Sequence, residues 1–207
     1  MVFFLSGKSL ATQLPLNKLS QWQKSAFSAA LLERMLPNYQ VFSEATEFGD
    51  FSVLRNQLDL IWQRLSKQQK VTINYDAQLV KLEEQIPDPL LYDSFGVYPA
   101  LDAAMGLMAL LQAMQDNETE GYDSITRLSE NSVHFYVEFC LVQALENAEA
   151  EVSQVLIAEH PLVIWEQAMQ TDLFDSSLAA RENKSGCEAL KSIALAQGLS
   201  NLGIECI

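Results

Sequence analysis

The side chains best suited to chemistry in this sequence are isolated carboxylates that stand beside aromatic residues. The acids are Glu33, Asp59, Asp76 and Asp102, and the aromatic residues are Tyr39, Trp62 and Tyr98. Such groups form a binding or hydrolytic pocket only if several helices bring them together and the pKa of at least one acid is raised. Each acid can equally serve as a helix cap or ion-pair member. We therefore assign no catalytic residue and treat six residues as a candidate pocket or structural polar cluster: Glu33, Tyr39, Asp59, Asp76, Tyr98 and Asp102.

Asp102 stands inside an almost wholly apolar run that extends from Val97 to Met114. If Pro99 takes the first helical position, Asp102 falls in the first turn, where free N–H groups and the helix dipole favour an acid. A helix that is apolar on all sides should be buried, so Asp102 should also have a partner, an arginine or a hydroxyl near Tyr98.

The other three acids also have structural interpretations. Asp76 is predicted in the first turn of a helix, and Asp59 follows Arg55 at the i,i+4 spacing of an ion pair. Glu33 is predicted near a helix C-terminus, where an acid needs a tertiary partner such as Arg55 or Arg64.

No metal site or cofactor is expected. His134 and Glu138 stand at i,i+4 on one helix face, but the chain has only two histidines and no Glu-x-x-His spacing. Its three cysteines lack a Cys-x-x-Cys spacing. Gly7-Lys8-Ser9 resembles the end of a phosphate-binding loop, but the preceding glycine is missing, so we interpret the match as chance.

The elements that must position these residues are helices. The chain has only eight Gly and six Pro, and its apolar residues recur at helical spacing. We expect a first helix that ends at Pro37, a short one that ends near Gly49, a central helix from Pro99, and an acidic connector over residues 116–124. The prediction is an all-α, single-domain, mostly antiparallel bundle of seven or eight helices over residues 1–207, with a loosely ordered segment over residues 1–16.

The charge of the chain disfavours two classes of partner. The net charge is −14, and residues 82–207 carry 21 acidic against four basic residues, whereas residues 1–81 carry six against nine. Nucleic acids and anionic membranes both require clustered positive charge, so neither is an expected partner. No signal-peptide pattern is visible at the N-terminus, and we expect a cytoplasmic protein.

Several segments resemble one known family. These are "LLERMLPNYQVF", "FGDFSVLRNQLDLIW", "NYDAQLVKLEEQIP", "FGVYPALDAAMGL" and "SNLGI". They are similar to the YjaG-like family of bacterial proteins, a domain-of-unknown-function family, from about Leu19 to near the C-terminus. The resemblance implies a compact helical cytosolic bundle. It carries over no activity and no catalytic residues.

Two functions remain open at this point. The first is a non-enzymatic protein-interaction or regulatory module that binds another protein or a second copy of itself. The second is a small-molecule-binding protein or hydrolytic enzyme, with a pocket built from the carboxylates and aromatic residues named above.

Overall fold

The described residues fold into α-helices. The computed structural model describes residues 14–68, 70–144 and 152–205, and within these ranges the chain forms eight α-helices and no β-strand. The helices are α1 Gln21–Thr46, α2 Phe51–Ser66, α3 Tyr75–Glu83, α4 Val97–Asp116, α5 Thr119–Ala144, α6 Gln154–Ala158, α7 Pro161–Ala179 and α8 Lys184–Ala194. The all-α bundle is therefore confirmed. The single-domain organisation stays a prediction, and residues 1–13, with Gly7-Lys8-Ser9, lie outside the described residues.

Helix α4 lies at the centre, packed along α1 on one side and α5 on another. Helices α4 and α5 approach each other closely at the start of α5, since a Cβ added at Gly121 would lie 2.8 Å from the Cβ of Ala113. Among the described residues α4 alone is long and apolar enough to cross a membrane, and 56% of its apolar window is buried inside the structure. The packing against α1 and α5 gives that apolar surface its place in the core.

Two apolar clusters organise the bundle. The main cluster joins the buried faces of α1, α2, α4 and α8 with parts of α3, α5 and α7. A smaller cluster joins Val133 and Val137 of α5 to Ile157 of α6, Val163 of α7 and Leu202. Burial of a large aliphatic side chain contributes about 1.5–3 kcal/mol. The smaller cluster therefore fixes the short helix α6 against α5.

The prediction that a helix ends at Pro37 is wrong, because Pro37 lies inside the continuous helix α1. An interior proline costs about 3 kcal/mol, since it lacks an N–H and its ring clashes with the carbonyl of Glu33. Buried side chains on both sides of it, such as Met35 and Tyr39, offset that cost. One turn before the proline, the Arg34 carbonyl accepts a 3.0 Å hydrogen bond from the backbone N–H of Asn201.

Two other helix starts differ from expectation. Helix α4 begins at Val97, two residues before Pro99, and α5 begins at Thr119, inside the segment expected to be a connector. Within this segment, Gly121 permits the close approach of α5 to α4. Helix α7 begins at Pro161, a residue type that suits the first helical position, and Asp50 and Asn74 cap α2 and α3.

Candidate functional site

The six sequence-predicted residues do not come together in one site. Glu33 and Asp59 share Arg55: its guanidinium donates to both carboxylate oxygens of Glu33, at 2.7 and 3.1 Å, and to Asp59 at 2.7 Å. Trp62 donates to Glu33 at 2.7 Å, and Nζ of Lys191 lies 3.3 Å from it. Burial by itself raises the pKa of Glu33, but Arg55, Lys191 and Trp62 together hold it below its usual range. This acid therefore belongs to an ion-pair network.

Tyr39 and Asp76 each have a local structural partner. The buried Tyr39 hydroxyl donates to the carbonyl of Gln85 at 2.9 Å, and burial raises the pKa of Tyr39 to about 12. Asp76 is exposed in the first turn of α3 and accepts a 2.9 Å hydrogen bond from the side chain of Gln115. Neither residue lines the cleft described next.

Tyr98 and Asp102 do meet, in a cleft of about 300 Å³ between α4, α5 and α6. Its walls come from the start of α4, one face of α5 and the short α6. The lining residues are Phe95, Tyr98, Pro99, Leu101, Asp102, Asn131, Ser132, His134, Phe135, Glu138, Gln154 and Ile157. Because Ile157 also belongs to the smaller apolar cluster, the core holds this wall in place.

Asp102 is the most perturbed acid in the cleft. It lies at the sixth position of α4, since the helix begins at Val97, so the prediction of a first-turn acid is wrong. Burial raises the pKa of Asp102 to about 6, and a 2.6 Å hydrogen bond donated by the Ser132 hydroxyl lowers it in part. No lysine or arginine of the described chain forms an ion pair with it. The partner is a hydroxyl from another helix, which leaves the charge of Asp102 uncompensated.

Aromatic rings form one wall and continue onto the surface. Phe95 contacts Tyr98, Tyr136 and Phe139, with ring centroids 6.0, 5.8 and 4.7 Å apart, and Tyr98 contacts Phe135 at 6.0 Å. Tyr98 is 44% exposed, Phe135 36% and Phe139 40%. We call Phe95, Tyr98, Phe135 and Phe139 the aromatic surface. Three of its four rings are open to solvent.

The face of α5 that lines the cleft was only partly visible in the sequence. Asn131, His134, Phe135 and Glu138 follow the i, i+3, i+4, i+7 spacing of one helix face. The sequence places His134 and Glu138 on one helix face, where we expected no metal site, but it gives no sign that α4 would bring Asp102 to the same cleft. Burial lowers the pKa of His134, which favours the neutral imidazole. Among the described residues no three His, Cys, Asp or Glu side chains are placed to hold a metal ion.

A buried ion pair elsewhere in the bundle escaped sequence reasoning. Arg34 of α1 pairs with Glu166 of α7, and both side chains are almost fully buried. Ser129 and Gln170 donate to the other Glu166 oxygen at 2.7 and 2.9 Å, while the guanidinium carbon of Arg34 lies 4.5 Å from the centre of the Trp165 ring. This network ties α1, α5 and α7 together inside the core.

The cleft can serve two kinds of chemistry. Two carboxylates beside aromatic rings provide negative charge and π faces for a positively charged group. An acid with a pKa of about 6 can also exchange protons near neutral pH, and a neutral imidazole lines the same cleft.

Comparisons with known proteins place the chain in a family. Residues 11–205 match the family described as "Protein of unknown function (DUF416)". The uncharacterized protein YjaG of Escherichia coli is 36% identical to this chain over 196 residues, which cover 92% of this chain and 94% of the relative. An uncharacterized protein of Haemophilus influenzae is 34% identical over 195 residues, which also cover 92% of this chain and 94% of the relative.

The crystal structure of a DUF416 family protein from Shewanella baltica has the same fold. It superimposes with a TM-score of 0.79 at 34% sequence identity, covering 92% of this chain and 96% of that one. Sequence and fold agree over nearly the whole length of both proteins, so the chain belongs to the DUF416 family of proteins of unknown function.

Proposed function

We propose that this protein is a non-enzymatic binding module that docks a basic segment of a partner protein on the aromatic surface. The observation that carries the proposal is the exposure of Tyr98, Phe135 and Phe139 next to a cleft that contains Asp102 and Glu138. Exposed aromatic residues that contact one another are typical of binding surfaces rather than of solvated helix faces.

The apolar contribution to binding comes from rings that are already held in place. Phe95 packs against both Tyr98 and Phe139, so the rings lose little side-chain freedom when a partner covers them. Aromatic residues of this kind dominate the energetics of many protein interfaces. The neighbouring helix α6 has two further exposed apolar side chains, Val155 and Leu156.

The charge of the region supports a basic partner. The side chains that line the cleft include Asp102 and Glu138 but no lysine or arginine. Residues 82–207 carry 21 acidic and four basic residues, so the wider surroundings attract a basic segment by long-range electrostatics. The same charge disfavours nucleic acids and anionic membranes.

The test compares two exposed apolar side chains. Phe139→Asp places a charge in the aromatic surface, whereas Val80→Asp places one on α3, where Val80 is 59% exposed. Proteins retained from lysate by the wild type are identified, and each is then purified and titrated against all three forms. The proposal predicts a direct partner with a basic binding segment whose affinity falls at least about tenfold in Phe139→Asp and is unchanged in Val80→Asp.

Two outcomes overturn the proposal. One is a purified partner that binds both variants as it binds the wild type. The other is a wild-type protein that self-associates in sedimentation velocity and becomes monomeric in Phe139→Asp, which would make a second copy the occupant of the aromatic surface.

A second candidate function, hydrolysis, is favoured by one observation. Asp102, with a pKa of about 6, and the neutral His134 line the same cleft, and either group could accept a proton from a bound water. Ser132 is only 2% exposed, so its hydroxyl is poorly placed to reach a substrate as a nucleophile. A panel of ester, phosphoester and amide substrates, with Asp102→Asn as the control, tests this function; turnover that disappears in the variant supports it.

A further inference from the structure

We propose that the cleft between α4 and α5 binds an organic cation, an alkylguanidinium or alkylammonium group. Asp102 and Glu138 supply the counter-charge, and the rings of Tyr98 and Phe135 supply the walls. This inference deepens the proposed function by naming the chemical group that the cleft receives.

The structure contains two internal examples of the same arrangement. Arg34 pairs with Glu166 and lies 4.5 Å from the centre of the Trp165 ring. Lys191 lies 3.3 Å from Glu33 and 5.5 Å from the centre of the Trp62 ring. In both, a cation of the chain itself occupies the space between a carboxylate and an aromatic face.

The cleft repeats this pairing of carboxylate and aromatic ring without a cation from the described chain. Asp102 accepts a hydrogen bond from Ser132, and Tyr98 and Phe135 line the same cavity. Burying a carboxylate is unfavourable unless a cation or several hydrogen-bond donors compensate it. Glu33 and Glu166 each have a basic partner, whereas Asp102 has one hydroxyl. A cation from outside would supply what the internal sites already have.

The size and shape of the cleft suit a small group on an apolar stem. A volume of about 300 Å³ lies at the lower end of the range for small-molecule pockets. Pro99, Leu101 and Ile157 provide apolar surface for a methylene chain, while the amides of Asn131 and Gln154 can hydrogen-bond to a planar cation. An alkylguanidinium combines these features, since its stem is apolar and its donors lie in one plane.

The test uses N-butylguanidinium chloride as the probe and N-butylurea as a neutral compound of nearly the same shape. Binding is followed at low ionic strength through the backbone amide NMR signals. We expect saturable shifts at Asn131, His134 and Gln154 with the guanidinium compound and none with the urea. Asp102→Asn should weaken binding about tenfold, and Phe135→Leu should weaken it roughly threefold.

The matched control is Asp76→Asn, which removes an exposed carboxylate from α3 without touching the cleft. It should bind the probe as the wild type does. Equal binding of the urea, an unchanged affinity in Asp102→Asn, or shifts confined to residues outside the cleft would each overturn the inference.

The same experiments separate a protein-borne cation from a free amine and separate this inference from the proposed function. If butylguanidinium binds but no purified partner depends on Phe139, the cleft serves a free small cation, and only the docking proposal fails. If the affinity of a partner depends on Phe139, but the probe does not bind and Asp102→Asn leaves the partner's affinity unchanged, the docking proposal stands and the cation site is excluded. If the partner requires both Phe139 and Asp102, its own arginine or lysine side chain is the cation.

Discussion

The hydroxyl of Ser132 on α5 donates a 2.6 Å hydrogen bond to Oδ2 of Asp102 on α4. This bond joins the two helices that form the cleft and favours the charged form of the acid. Because burial acts in the opposite direction and is the larger effect, the pKa of Asp102 still lies at about 6. The pair therefore sets how much negative charge the cleft presents near neutral pH.

Replacing Ser132 with alanine should raise the pKa of Asp102 above about 6, because only the effect of burial remains. The measurement is a pH titration of the Asp102 side-chain carboxyl by ¹³C NMR. Ser124→Ala is the control, since that hydroxyl donates to the Glu120 carbonyl on the same helix. A pKa that stays constant or falls in Ser132→Ala would show that the bond has no influence on the charge.

Asp102→Asn should stabilise the unliganded protein at pH 7. The pKa of Asp102 is about 6 in the folded protein and about 3.8 for an ordinary aspartate in the unfolded chain. The folded protein therefore binds this proton more tightly, and its stability falls as the pH rises from about 4 to about 6. The difference corresponds to at most about 3 kcal/mol, and we expect about 2 kcal/mol because Asp102 is partly open to solvent.

Urea unfolding at several pH values checks this prediction. The advantage of Asp102→Asn over the wild type should be full near pH 7 and absent below about pH 4. Asp76→Asn serves as the control and should show no such dependence. A variant that is less stable than the wild type at pH 7 would indicate that Asp102 is held by favourable contacts.

Glu33→Gln should destabilise the protein by roughly 1–3 kcal/mol at pH 7, because it removes the charge that Arg55 and Lys191 compensate. The folded pKa of Glu33 is lowered, so its contribution to stability is present above about pH 4.5, the usual pKa of a glutamate, and disappears as the pH falls through the folded pKa. Thermal or urea unfolding from pH 7 to pH 3 measures this effect. Glu44→Gln, on the exposed face of the same helix, should change stability by less than about 0.5 kcal/mol throughout.

Arg34→Met should be among the most destabilising single changes, with an expected loss of about 3–5 kcal/mol, because it leaves the buried Glu166 carboxylate without its cation. Adding Glu166→Gln removes that charge, and the amide oxygen that replaces the carboxylate can still accept the hydrogen bond from Ser129. The double variant should therefore recover much of the lost stability. A double-mutant cycle in urea measures the coupling. Additive effects of the two substitutions would show that the pair is not coupled.

The fold was predictable from the sequence wherever local signals and tertiary packing agree. Asp50 and Asn74 cap helices as their types suggest, and Arg55 pairs with both Asp59 and Glu33. At Pro37 the local sequence signal and the tertiary packing disagree. Local chemistry favours a helix end there, but buried apolar residues continue on both sides, and tertiary burial outweighs the cost of the proline.

The cleft was only half predictable. Tyr98 and Asp102 share one helix and were recognised together, and His134 and Glu138 share another. No local pattern reports that α4 and α5 bring these pairs to one cavity, because that depends on the close approach at Gly121 and on the cluster that holds α6. The buried pair Arg34–Glu166 was missed for the same reason, since its members are 132 residues apart.

The measurement that tests the cation site most directly is the pKa of Asp102 with and without saturating N-butylguanidinium. A cation beside a carboxylate favours its charged form, so the pKa of Asp102 should fall clearly below about 6 when N-butylguanidinium is bound. With N-butylurea, which carries no charge, it should remain at about 6. By linkage, the same compound should bind more tightly above pH 6 than below it. A pKa of Asp102 that does not change with saturating N-butylguanidinium would contradict the account.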